Sequence, residues 1–210
     1  MTDYAAPHPA PAKAPGLVVV QEWWGLNDHI KDLCNRFAAQ GFLVIGVDLY
    51  GGRVTKDAGE AMQLMMDLKT RDALEIIGAA VDRLRADPGC NGKVGVVGFC
   101  LGGAMSLASA CNLAIDAAVP FYGLPRAEYA DWTKVRCPIE GHYAERDPHV
   151  TKERVSLVRD ALVAAGKSVE FHFYDAEHAF ANDTRGEVYD RASAELALSR
   201  TTAFLHAHLG

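Results

Sequence analysis

"KVGVVGFCLGG", Lys93 to Gly103, is the stretch on which the fold turns. An apolar, valine-rich run leads into Gly98, and a Cys flanked by single residues separates that glycine from a Gly-Gly pair. Such a run reads as a buried strand. "LGGAMSLASACN" continues from it as a helix. The frame G-x-nucleophile-x-G usually centres on serine, and here Cys100 holds that place. Side chains at Gly98 and Gly102 would collide across so sharp a turn. The following helix aims its dipole and free N–H groups at the turn, and the N–H of Leu101 is the natural oxyanion donor. A small packed thiol is the competing reading, because free cysteine is among the most buried residue types. That reading suits Cys34, Cys111 and Cys137, and Cys90 reads as a loop thiol. At Cys100 the strand-turn-helix setting favours a nucleophile.

Outward from this turn the chain alternates strand and helix. "LVVVQE" (17–22) and "FLVIGVD" (42–48) read as strands, with a helix between them opened by Asp28 and closed by Gly41. Residues 58–86 read as two helices, and Leu74, Ile77, Val81 and Leu84 mark the buried face of the second. Further strands are expected over 93–98, 116–123, 137–143 and 168–175. Helices are expected near 151–165 and from about 187 to 208. The pattern predicts a three-layer α/β sandwich: a mostly parallel sheet of about six strands with helices on both faces. Residues 16–210 form the one domain, and the Pro/Ala-rich residues 1–15 read as an extended tail. Catalytic groups in such sheets gather beyond the C-terminal strand ends.

Composition narrows the class. The 210 residues are 50% hydrophobic, with a net charge of −6. There is no basic run for a nucleic acid and no apolar run of the ~20 residues a membrane span needs. The N-terminus lacks signal-peptide character. The five cysteines, with no C-x-x-C, suit a reducing, cytoplasmic setting.

A nucleophile needs a base, and the base an orienting acid. His178, in "DAEHAFAND" after the last strand, lies at the C-terminal edge of the sheet. His8 falls in the tail, His29, His206 and His208 at helix ends, His172 and His142 in strands, and His149 in a loop. Chain order places the acid after an earlier strand, which favours Asp147 in "AERDPHV" over its rivals Glu145 and Asp175. Glu140, a charge inside an expected strand, has no explanation at this level.

These residues together resemble the dienelactone hydrolase family of α/β-hydrolases, from about Gly16 to the C-terminus. "VVVQEWWG", "GFCLGG", "FYG" at 121–123, the Asp147 loop and "HAFA" at 178–181 follow in the family's order. The resemblance implies a Cys100–His178–Asp147 triad. It implies that Glu22 lies beside the thiol and helps deprotonate it; a purely structural ion pair, as with an arginine, is the lesser alternative for a buried carboxylate. The N–H of Trp23 becomes the second oxyanion donor, and Trp24 and Tyr122 line the pocket. The family's N-terminal edge strands are missing here. Some members carry an arginine for the substrate carboxylate four residues after the histidine. That position is Asn182, for which Arg53 or Arg185 could compensate. The implied activity is hydrolysis of a lactone or small ester through a thioester, by a monomer without metal or cofactor. A general carboxylesterase, a peptidase-like relative and a non-catalytic binding protein are the alternatives.

Overall fold

The computed structural model describes residues 2–7 and 13–210. Its sheet contains strands β1 (Tyr4–Ala5), β2 (Ala14–Val20), β3 (Leu43–Val47), β4 (Cys90–Phe99), β5 (Ala117–Phe121), β6 (Ile139–Ala144) and β7 (Val169–Tyr174). The order is β1-β3-β2-β4-β5-β6-β7, parallel throughout except for β1. The six anticipated strands are present, and β1 is additional. It pairs antiparallel with β3, Tyr4 opposite Gly46. Asp3 anchors it by accepting from the Asp48 N–H and pairing with Arg83. Residues 2–7 are therefore docked on the sheet rather than extended as a loose tail, because β3 otherwise presents an open edge. His8, Pro9 and Pro11 lie outside the described residues.

Among the described residues the helices α1 (Asp28–Ala39), α2 (Ala58–Asp67), α3 (Thr70–Ala86), α4 (Leu101–Asn112) and α5 (Lys152–Ala164) lie between strands, and α6 (Arg191–Leu209) follows β7. Strand alternation sorts the core into two layers. Leu17 and Val19 of β2 pack with Ile30, Leu33 and Phe37 of α1 and with Leu205 of α6. Val18 and Val20 pack on the other face with Ile77 and Val81 of α3 and with Leu107 of α4. Alpha6 begins at Arg191, four residues later than the pattern suggested, where Asp190 accepts from the Ser193 N–H and supplies the missing N-cap. No helix among the described residues is long and apolar enough to cross a membrane.

Glu140 finds its explanation in neighbouring strands. Its Oε1 lies 3.0 Å from His172 Nε2, and Oε2 lies 3.6 Å from His142 Nε2. His142 in turn meets the Tyr174 hydroxyl at 2.8 Å and the Thr201 hydroxyl at 2.9 Å. Parallel pairing sets Glu140 opposite Glu170 and His142 opposite His172, so the carboxylate has histidine partners on both strands.

Beta2 neighbours β3 on one side and β4 on the other, and the chain direction of travel across the sheet reverses between them. A crevice forms at such a switch point. Glu22 follows β2 and Cys100 follows β4, so both stand at this crevice.

Candidate active site

Cys100 sits alone between β4 and α4, with φ 54° and ψ −111°. A non-glycine residue there is strained, and strain persists only where surrounding structure imposes it. The imposing contacts are local: the Cys100 N–H donates to the Phe121 carbonyl at 3.1 Å, and its carbonyl accepts from the Ala104 N–H at 3.1 Å. A methyl group at Gly98 would stand 2.0 Å from the Gly102 carbonyl oxygen, and one at Gly102 would stand 2.2 Å from that of Val20. The two glycines are thus required by close backbone approach. Cys100, Tyr122 and Ala179 are the three non-glycine residues with positive φ among the described residues, and all three line one cavity.

That cavity has a volume of about 600 Å³. His178, in the loop after β7, brings Nε2 to 3.2 Å from Cys100 Sγ. Its Nδ1 lies 2.6 Å from Asp147 Oδ2. Asp147 follows β6, and its other oxygen accepts from the N–H groups of His149 (2.8 Å) and Val150 (2.9 Å). These two donors were not anticipated, although Asp-Pro-His-Val is a turn sequence in which an aspartate bonds the backbone two residues on. The rivals are engaged elsewhere: Glu145 pairs with Lys152 at 2.5 Å, and the exposed Asp175 pairs with Arg146.

Electrostatics follow from this chain of contacts. Burial disfavours charge on His178, but hydrogen bonds and charge from Asp147 and Cys100 outweigh it and hold the imidazole up at about 10. Burial likewise disfavours charge on Asp147, yet His178 and the two backbone donors hold its carboxyl below the usual range. The Cys100 contribution is that of the ionised sulfur, so the imidazolium is the form the site favours once the thiol's proton has passed to His178, while Asp147 stays ionised.

Glu22 is only 1% exposed, yet it reaches the cavity wall. Neutral donors hold it rather than an arginine. The Tyr122 hydroxyl donates to Oε1 at 3.3 Å, and Asn182 Nδ2 donates to Oε2 at 2.6 Å. Asn182 thus differs from the expected substrate-facing residue: it is buried behind Glu22 and is not part of the cavity lining. Its amide is oriented by the Thr184 N–H and hydroxyl, which both donate to Asn182 Oδ1, at 3.1 and 2.7 Å. No sequence signal joins residues 160 positions apart. Trp23, Trp24, Tyr122 and Leu101 all line the cavity. Leu101 opens α4, where N–H groups lack intrahelical partners. Arg185 also lines the cavity, with its guanidinium bonded to Glu187 at 2.7 Å and stacked over Trp24 at 5.7 Å. Arg53 instead pairs with Glu60 away from the lining. Sequence reasoning missed Met62, Met65 and Met66 of α2, which form an apolar part of the wall.

No cluster of three or more metal-ligating side chains occurs among the described residues.

A parallel sheet with a strained strand-turn-helix elbow at its switch point, and with an aspartate and a histidine after later strands, defines an α/β-hydrolase fold. The comparisons with known proteins narrow this class. The family model described as the dienelactone hydrolase family matches residues 1–209. Protein usf of Aquifex pyrophilus is 37% identical, covering 93% of this chain and 89% of its own. The carboxymethylenebutenolidase of Pseudomonas sp. (strain P51) is 30% identical over 82% of this chain and 76% of its own. A solved protein from Klebsiella pneumoniae superposes with a TM-score of 0.86 at 29% identity, covering 96% of this chain and 90% of that one. The chain belongs to the dienelactone hydrolase family.

Proposed function

We propose that the protein hydrolyses lactones or small carboxylic esters, with Cys100 as the nucleophile and a thioester as the intermediate. One observation carries this reading: the unbroken chain from Cys100 Sγ through His178 to Asp147, at 3.2 and 2.6 Å. Family membership supports the ester-hydrolase class, and the strained elbow supports the choice of nucleophile.

The steps follow from position. Cys100 Sγ bonds to the substrate carbonyl carbon as its proton passes to His178 Nε2. Asp147 keeps the imidazole in the required tautomer and balances its positive charge. The N–H groups of Leu101 and Trp23 receive the oxyanion. The tetrahedral intermediate collapses, His178 Nε2 protonates the departing alkoxide, and an acyl thioester remains on Cys100. His178 then takes a proton from water as it attacks the thioester. Collapse releases the acid, and the proton returns to sulfur. Glu22 acts as an auxiliary base for the thiol, held in place by Tyr122 and Asn182. The five free cysteines suit a reducing, cytoplasmic setting for a thiol enzyme.

The test is turnover of a panel of lactones (dienelactones included), aryl esters and peptide amides, with intact-mass detection of an acyl group on Cys100. Wild type should turn over esters or lactones and not amides. Cys100→Ala should lose at least about a thousandfold in kcat/KM, and iodoacetamide should inactivate wild type. Full activity in Cys100→Ala would overturn the scheme.

A further inference from the structure

Helix α2 carries two apolar faces. Ala61 and Leu64 point into the protein and are buried. Met62, Met65 and Met66 lie three and four positions apart, hence on a shared face, and all line the cavity. Met62 and Met66 remain 43% and 66% exposed. An apolar helical stripe left open to solvent is unfavourable unless something covers it. The helix is held at its N-terminus, where the Asp57 side chain accepts from the Glu60 N–H at 2.8 Å and the Thr55 N–H donates to the Trp24 carbonyl at 3.1 Å. The methionine face is thereby fixed on the same cavity as the Trp24 ring and Cys100. Methionine is flexible and polarisable, and it adapts to apolar chains of varied shape.

The site does little for a substrate carboxylate, because its lining carries Glu22 and Glu177 beside its two arginines. Arg185 is already paired with Glu187 and stacked on Trp24. Asn182 is committed to Glu22. Arg126 stands exposed at the cavity edge. The volume of about 600 Å³ lies within the range that encloses drug-sized ligands, well beyond a four-carbon lactone.

We propose that the site takes neutral esters bearing an apolar arm, which lies along Met62, Met65 and Met66 of α2 and covers that exposed face. This rests on the ester-hydrolase reading, and the experiment separates the two. The substrates are the p-nitrophenyl esters of acetic, butyric and hexanoic acids and the p-nitrophenyl monoester of adipic acid. The adipate has the hexanoate's length and ends in a carboxylate. Full burial gives roughly threefold to fourfold per methylene. Because this wall is partly open, kcat/KM should rise about tenfold in all from acetate to hexanoate. The adipate monoester should fall about tenfold below hexanoate. In Met62→Gln/Met66→Gln the hexanoate-to-acetate ratio should drop about fivefold or more, and Met62→Leu/Met66→Leu should restore it. If either variant fails to fold, the wild-type series decides alone. A ratio near one across the series, or preference for the adipate monoester, would overturn the proposal while leaving the hydrolase reading intact. Absence of turnover for every ester, acetate included, would overturn this proposal, and the lactone panel would then decide the hydrolase reading separately.

Discussion

Asn182 is the residue whose role changes most between sequence and structure. The sequence resemblance set its position against an arginine that some family members are expected to use for a substrate carboxylate. In the fold it donates to Glu22 Oε2 at 2.6 Å, with Thr184 fixing which end of the amide faces the carboxylate. A buried carboxylate that loses its donor keeps its desolvation penalty. Asn182→Leu should therefore lower unfolding free energy by about 2–3 kcal/mol in urea titrations, and it should reduce kcat/KM as Glu22 loses its position. A variant of wild-type stability would contradict the proposed hold on Glu22. The nucleophile, base and acid candidates were legible because each sits at a strand end in a fixed chain order. The Asn182 contact was not, since hydrogen bonds across 160 residues leave no local pattern.

The elbow between β4 and α4 shows how tightly an element can constrain its sequence. Cys100 is held at positive φ because β5 accepts its N–H through Phe121 while the first turn of α4 engages its carbonyl. The approach is so close that Gly102 faces the Val20 backbone with no room for a methyl group. Gly102→Ala would force β2 and α4 apart. The expected result is a loss of about 3 kcal/mol from overpacking and roughly a hundredfold in kcat from misplacement of Sγ, read by denaturation and steady-state kinetics. Here local sequence carried nearly everything, since glycine spacing and strand-to-helix change are both short-range features. Alpha2 is the opposite case. Its helical pattern was evident, but a second apolar face at Met62, Met65 and Met66 has meaning only once the cavity lies against it.

At the scale of the whole molecule, buried ionisable groups set the dependence of stability on pH. His142 is fully buried, and burial drives its pKa down to about 4 despite the raising influence of Glu140. The unfolded chain therefore binds a proton that the native state refuses, and stability should decline as pH falls from about 6.5 toward 4. The depressed carboxyls of Asp147 and Glu140 extend that loss to lower pH. His178 acts in the opposite window. Its raised native pKa of about 10 gives stability that is complete below 6.5 and is lost as pH rises toward 10. Burial also lifts Cys34 and Cys137 to about 12 and Cys111 to about 11, which adds to the alkaline loss. Urea titrations across pH 4 to 10 should place maximal stability near 6.5, and His178→Ala should flatten the alkaline limb. A wild-type curve still rising at pH 9 would contradict the assignment. By itself the sequence determined the alternating α/β architecture, the elbow and the order of its partners, because hydrophobic periodicity, glycine spacing and chain order are local or one-dimensional properties. Tertiary structure alone decided the edge strand at Tyr4–Ala5, the histidine partners of Glu140, the hold of Asn182 on Glu22 and the methionine wall. Each depends on which surfaces the sheet order brings together, and contacts between distant segments follow from three-dimensional packing rather than from any pattern along the chain.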